Sequence, residues 1–336
     1  MKKGLLFLTV SGLLLFLAGF SVPESHAAPK ILINATTTWL VPVANNDYFK
    51  EFIKNFNEKA KGEAEIKLLG GPEVVAAFDQ LKALSKGVVD MVHGSQAYYS
   101  GAVPEGTIPE LAKSKLEVKA FRESGIWNDY VQAYLEKAGA RFLGNAHIGM
   151  PFYIMTAKPV SKLDDIKGMK LRGIGGLGDV LVGELGASVV RISSAETYEG
   201  LQRGVVDGAL RNTISLVELK EYEVMKYILY PPVYSAYGGL WISEEKWKTL
   251  PKHLQDMMTD MVKTMEAEAR DYYDNMDKNN LKLVQEKHGM KLVQLSEKDI
   301  ARVGEIRTGP AIKNWITTKA PKYGPPIYEK MLPYLK

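Results

Sequence analysis

Residues 251–288 hold helix-forming composition with almost no breaker. At about 1.5 Å per residue, a helix of that length exceeds ~50 Å, longer than one small domain is wide. A chain that carries it needs more than one body for it to lie along. The sequence has 336 residues, enough for about two domains. The spacing therefore predicts two lobes tied together by one continuous helix.

A repeated phrase points the same way. Residues 84–92 read LSKGVVDMV and residues 201–209 read LQRGVVDGA. Around the first copy the pattern predicts a strand at 30–35 (KILINA), a helix over 42–61 and a strand at 65–69. A helix opened by Pro72 then stops at Gly87, and a buried strand follows at 88–92. Around the second copy it predicts a strand ending at Arg172, a helix over 179–185 and a strand at 189–192. A Ser193/Glu196 capping box then leads into a helix that stops at Gly204, with a strand at 205–207. Helices alternating with short apolar strands mean α/β with largely parallel sheets. Gly-Val-Val-Asp could be no more than a common helix-to-strand link. With the long helix, it reads as two similar lobes, each bringing the chain to a strand end beside a shared cleft. Ligands of such folds bind at the C-terminal ends of the strands.

Composition narrows the function. Hydrophobic residues make up 46% and charged residues 24%, the profile of a globular protein with a real core. A net charge of +4 gives no argument for a nucleic-acid partner. The absence of cysteine excludes disulfides, thiol catalysis, cysteine-ligated metal and a lipoprotein anchor. Lys2 and Lys3 precede an uncharged apolar run over 4–20, followed at once by small and polar residues with Pro23. This is the pattern of a secretory signal peptide over 1–27, cut after Ser25-His26-Ala27, rather than of a membrane anchor. The mature chain is expected to be exported.

The run KPVSKLDDIKGMKLRG, then ELGASVVRISSAETYEGLQRGVVDGALRN and YEVMKYI, resembles the solute-binding proteins of TRAP transporters, the DctP family. The early LLGGPEVVAAFDQLKALSKGVVDMV and the later WISEEKWKTLP fit as well, so the resemblance covers essentially the whole mature chain. It implies an α/β, two-lobed periplasmic binding protein fold with a ligand cleft, hinge strands and a long helix spanning both lobes. Lobe 1 would be 28–152 plus about 239–275, and lobe 2 would be 153–238 plus about 276–336. The implied function is capture of a small organic acid in the periplasm and its delivery to a TRAP permease driven by an ion gradient. The family includes both monomers and homodimers.

Arg172 stands at the end of a predicted strand, and its planar fork matches a carboxylate in two parallel hydrogen bonds. The resemblance implies that it clamps the substrate carboxylate. After Val-Val-Asp-Gly the family often places a ligand-contacting Asn or Trp; here Arg211 and Asn212 fall at or next to that position. Arg211 is either a second cation for the ligand or the partner of a nearby carboxylate such as Glu218. Softer candidates are Trp39 after the first strand and Gln96 and Tyr98 after the first Val-Val-Asp. Gln96 would hydrogen-bond a hydroxyl or keto group, and Tyr98 or Trp39 would cover a ring. Tyr153, Tyr237 and Trp241, with Tyr234, lie near the expected crossings between lobes.

Glycines 173, 175 and 178 match G-x-G-x-x-G after a strand. Export and the lack of a convincing ribose-binding acid argue against a dinucleotide enzyme. The loop either offers backbone N–H groups to an anion beside Arg172 or is simply a turn. His93, His147, His253 and His288 show no metal spacing, and no G-x-S-x-G elbow occurs. The sequence therefore predicts no catalytic residue, metal or cofactor. Its rivals to the TRAP reading are an exported receptor of an ATP-driven transporter and, more remotely, a secreted hydrolase.

Overall fold

The computed structural model describes residues 31–112 and 122–335; the expected leader and its cleavage site lie outside them. The strands are β1 (Ile31–Thr37), β2 (Ala64–Gly70), β3 (Met91–Ser95), β4 (Ala140–Thr156), β5 (Lys170–Gly173), β6 (Ser188–Arg191), β7 (Gly208–Arg211), β8 (Tyr227–Tyr230), β9 (Tyr234–Ser243) and β10 (Lys291–Gln294). They form one path, β2-β1-β3-β9-β4-β7-β5-β6, with β8 pairing β4 and β10. β1 runs parallel to β2 and β3, and β5 runs parallel to β6 and β7. These are two parallel α/β halves. The long antiparallel strands β4 and β9 join them. β4 pairs with β9 as far as Phe152, then with β7 from Tyr153 onward.

The helices are α1 (Asp47–Lys59), α2 (Gln80–Ser85), α3 (Ile126–Ala138), α4 (Gly176–Glu184), α5 (Thr197–Gln202), α6 (Thr213–Glu218), α7 (Glu244–Thr249), α8 (Lys252–His288), α9 (Glu297–Thr308), α10 (Pro310–Lys319) and α11 (Gly324–Met331). The long helix expected from composition is α8, 37 residues and so about 55 Å. It packs on β4, α1 and α6. Near its start Leu254, Met258, Val262 and Met265 complete an apolar core with Ile33, Phe49, Phe52 and Phe56 of the first half. Near its end Val284 joins Met155, Leu201, Val206 and Ala209 of the second half. One rod is thus buried in two cores, and a final Gly289 at φ 64° stops it. The tail does not stay with the second half: α11 packs on α3, where Lys330 pairs with Asp129 at 2.7 Å.

Three local expectations change. Pro72 opens a turn rather than a helix. The Gly71 N–H donates to Glu73 Oε1 at 2.7 Å, and helical structure begins only with a 3-10 turn at Ala77–Asp79. The Ser193/Glu196 box forms in part: the Glu196 carboxylate accepts the Ser193 N–H at 2.9 Å, but the helix begins after it, at Thr197. Most tellingly, the Val-Val-Asp phrases are links rather than strands. In both copies the glycine takes a positive φ, 68° at Gly87 and 70° at Gly204. The next N–H returns to the helix, Val88 to Ala83 O and Val205 to Gly200 O, both at 2.9 Å, a Schellman-type stop. The first valine is exposed (Val88 64%, Val205 48%) and the second is buried.

The aspartate then launches the strand. Asp90 N–H donates to Asn34 O while its carboxylate accepts the Asn34 N–H, both at 2.8 Å. Asp207 does the same with Lys170, at 2.7 and 2.9 Å. Each carboxylate also pairs with a lysine, Lys246 at 3.3 Å and Lys158 at 2.7 Å. The phrase therefore marks the N-terminal end of β3 and of β7. The opposite ends carry Ser95 and Gln96 in one half, Arg211 and Asn212 in the other.

Candidate functional site

Those C-terminal strand ends face one another across a small cavity between the halves. The first half contributes Trp39, Asn45, Ser95 and Tyr98; the second contributes Arg172, Ile174, Arg211 and Asn212. The crossing strands β4 and β9 contribute His147, Phe152, Ala236 and Tyr237. The free volume is only about 20 Å³, close to what one ordered water needs, so the halves are closed on each other.

Arg172 ends β5 with 1% of its surface exposed. Its Nε donates to Ile192 O at 3.1 Å and its Nη1 to Leu210 O at 3.4 Å. Nη2 donates to the Tyr98 hydroxyl at 2.6 Å, and that oxygen also accepts the Ser194 N–H at 3.0 Å. Tyr98 thus reaches from the first half onto the cation of the second, with its ring 4.5 Å from that of Phe78. No acidic side chain among the described residues pairs with Arg172. Burial pulls its guanidinium below the ordinary arginine value, and Tyr98 partly offsets this.

Arg211 lies two residues beyond Ala209, which is opposite Arg172 in the sheet, and it is equally buried. Its surroundings differ. Nε donates to Glu221 Oε2 at 2.7 Å, and Nη2 makes the second, very short contact with Glu221 Oε1. Nη1 donates to Ser194 Oγ at 3.0 Å. The carboxylate partner is therefore Glu221 rather than Glu218, whose carboxylate accepts the Ala44 N–H at 2.9 Å. Asn212 reaches the cavity wall, but its Oδ1 caps α6 through the Ser215 N–H at 2.8 Å.

Other candidates separate by strand parity and packing. Trp39 lines the cavity, its ring 5.0 and 5.3 Å from His93 and His147. Tyr237 lines it too, with its N–H on Glu110 Oε1 at 3.0 Å. Tyr153 does not. Neighbouring Phe152 faces the cavity, so Tyr153 points to the other side of β4, where its hydroxyl donates to Asp277 at 2.8 Å. Trp241 is core, packed on Tyr99, Tyr134 and Phe142 at 5.2–5.6 Å. Gln96 is held behind the wall, donating to Asn145 Oδ1 at 2.7 Å.

The glycine loop at 173–178 is a turn built for close approach, not an anion cradle. The Gly175 N–H goes to Asp179 Oδ1 at 2.8 Å and the Leu177 N–H to Thr107 Oγ1 at 3.3 Å. A Cβ on Gly175, at φ 105°, would meet Ala97 O at 2.3 Å, across the junction of the two halves. Two of the loop's N–H groups are thus taken within the protein, and no cluster of potential metal ligands occurs among the described residues.

His147 is the main residue that sequence reasoning missed. It was set aside for want of metal spacing, yet it lines the cavity with an unpartnered Nδ1. Burial pushes its pKa down to about 3, so the ring is neutral. Gly238 makes room for it: a Cβ there would lie 2.0 Å from His147 Cε1. A buried histidine on a largely apolar strand reads as core in a sequence; only the pairing of β4 with β9 aims it at the cleft. The site as built offers one unneutralised cation, a neutral imidazole and several rings.

Comparison with known proteins agrees with this architecture. The family described as bacterial extracellular solute-binding protein, family 7, DctP, matches residues 43–314. A solute-binding protein of Albidiferax ferrireducens is 25% identical over 283 residues, 81% of this chain and 83% of that protein. A TRAP periplasmic solute-binding protein from Desulfovibrio salexigens with bound orotic acid superposes with a TM-score of 0.81 at 18% identity, covering 91% of this chain and 99% of that one. One from Rhodoferax ferrireducens with bound malonate gives 0.78 at 21%, covering 89% and 98%. Two α/β halves joined by crossing strands and one long helix, with a match over most of the length, lead to one identification: the chain belongs to the DctP family of bacterial extracellular solute-binding proteins.

Proposed function

We propose that this protein is the receptor of a TRAP transporter that captures an organic acid with one carboxylate and a flat or cyclic body. The observation that carries this is the charge count in the cleft. Arg172 has no acidic partner among the described residues, whereas Arg211 is neutralised by Glu221. A dicarboxylate would bring two charges to one free cation and leave the second desolvated and unpaired, a costly arrangement. The rings of Trp39, Tyr98, Phe152 and Tyr237 offer faces to an unsaturated body. The fold leaves the ligand open, since orotate and malonate are bound by neighbours of the same architecture.

In this reading the signal peptide is cut near Ala28 and the receptor works in the periplasm, binding its ligand without chemical change. The lobes are 28–152 with about 239–275, and 153–238 with about 276–336, the last helix α11 reaching back from the second to pack on α3 of the first. The change of β4 partner between Phe152 and Tyr153 supports the first boundary. The acid docks on the Arg172 fork, Tyr98 and Trp39 close over its body, and β4, β9 and α8 flex as the hinge. Ligand sustains closure because it binds the closed form better, and the closed receptor hands it to the permease.

Thermal unfolding of the refolded mature protein against matched mono- and dicarboxylates tests this. At about a hundred times its dissociation constant, a ligand adds roughly 2.7 kcal/mol of stability. Ring-bearing monocarboxylates are expected to shift the transition, and Arg172→Met to reduce that shift sharply. A dicarboxylate as the best ligand, with the ring acids inactive, would overturn the charge argument.

A further inference from the structure

A second cavity, independent of the cleft reading, lies between α9 and the loop that joins β8 to β9. Its volume is about 650 Å³, inside the roughly 300–1,000 Å³ range of small-molecule sites. The wall is mostly apolar: Pro231, Pro232 and Val233 on one side, Leu295, Ile300 and Val303 on the other. At its lining stands Arg307, which is only 6% exposed. Nη2 of Arg307 donates to Val233 O at 2.8 Å, while its Nε has no partner. No acidic side chain pairs with it among the described residues. Burial pushes the guanidinium down to about 10, as expected for a desolvated cation without a counter-charge.

The helix that carries Arg307 is built to leave the space open. Ala301, Gly304 and Arg307 follow one another at three-residue spacing, and all three line the cavity. A glycine inside a helix is destabilising. Gly304 has no positive φ, and no atom lies within 4 Å of where its Cβ would be. Neither backbone nor neighbours require glycine there; a side chain would simply fill the cavity. Two exposed acids, Glu297 and Glu305, also line it, which disfavours a ligand with a second negative charge.

We propose that this cavity is a second ligand site, taking an amphiphilic monocarboxylate whose acid group meets Arg307 and whose saturated chain lies along the proline and Ile300/Val303 walls. Octanoate and 1-octanol are matched probes of it, titrated calorimetrically into the Arg172→Met protein so that the cleft clamp contributes nothing. Octanoate is expected to bind about tenfold or more tighter than the alcohol, the size of one charge-assisted contact. Gly304→Phe is expected to remove that binding while leaving the unfolding temperature unchanged or raised. Arg307→Gln should bring octanoate to the level of the alcohol; should that variant fail to fold, Gly304→Phe still decides. Equal affinity for acid and alcohol, octanoate binding that survives Gly304→Phe, or no saturable binding would each overturn the proposal. None of these outcomes bears on the cleft, whose ligand is read through Arg172.

Discussion

Arg172 and Arg211 stand at the ends of adjacent parallel strands, equally buried and lining the same cavity. One is held by two backbone carbonyls and a tyrosine; the other is locked to a buried glutamate. Charge at a cleft is therefore not a count of arginines. A buried cation with its own carboxylate is structure, and one without is available to a ligand. The matched pair of substitutions to methionine should separate these roles. Arg211→Met strands Glu221 at 0% exposure, so it should lower unfolding stability by about 3–5 kcal/mol, as for one broken partner of a buried pair. Adding Glu221→Gln should restore a good part of it. Denaturant melts of the three variants measure this; a small effect of Arg211→Met alone would return Arg211 to the ligand.

The second member of the pair should do the opposite. Arg172→Met removes an uncompensated cation, so its stability loss should be well below that of Arg211→Met. Its affinity for the acid ligand should fall about 10- to 100-fold, the worth of a charge-assisted fork. Calorimetric titration checks this, and affinity unchanged within a factor of about two would remove Arg172 from the site. Tyr98→Phe probes the same cation more gently. It deletes the hydroxyl that accepts from both Arg172 and Ser194 across the junction, a net loss of about 1 kcal/mol. Because those bonds hold the halves closed, scattering of the unliganded variant should show a larger radius of gyration than wild type. An unchanged profile would mean that the tyrosine covers the ligand without latching the lobes.

Why one arginine and not the other could be singled out from sequence is instructive. Arg172 was legible because the strand, the motif and the fork chemistry converge on it. The fate of Arg211 was not, because its partner is ten residues on, past α6, in a short 3-10 turn at Glu221–Glu223; no periodicity predicts which of several nearby acids folds back. The two-lobed plan and the long helix were legible because they rest on whole-segment composition. Assigning strand to both Val-Val-Asp links failed for a simple reason. Valine favours strands, but the helix stop claims the first valine's N–H and leaves its side chain in solvent. Tyr153 and Trp241 show the limit for aromatics: the facing of Tyr153 depends on a one-residue parity that pairing alone fixes, while Trp241 shares the parity of cavity-lining Tyr237 and is core because Tyr99, Tyr134 and Phe142 cover it.

The smallest effect tests whether the cleft gains a second charge from anywhere else. Among the described residues, His147 is the only other basic side chain lining the cavity besides the two arginines. Desolvation holds its pKa near 3, against an ordinary value of 6.5. The unfolded chain therefore takes up the proton first. His147 makes no demand on stability above about pH 6.5, but stability should fall as pH drops from there toward 3. Buried His93, also pushed down by burial and by His147, adds to the same slope, so His147→Gln should flatten only part of it. Binding should behave differently. If the imidazole stays neutral in the complex, affinity for a fully ionised monocarboxylate should change less than about twofold between pH 8 and 6. A several-fold rise over that range, absent in His147→Gln, would mean that the ligand recruits a proton onto His147 and so meets two cations. The contrast between the free and the paired arginine would then no longer set the charge of the ligand, and a dicarboxylate would become the better fit.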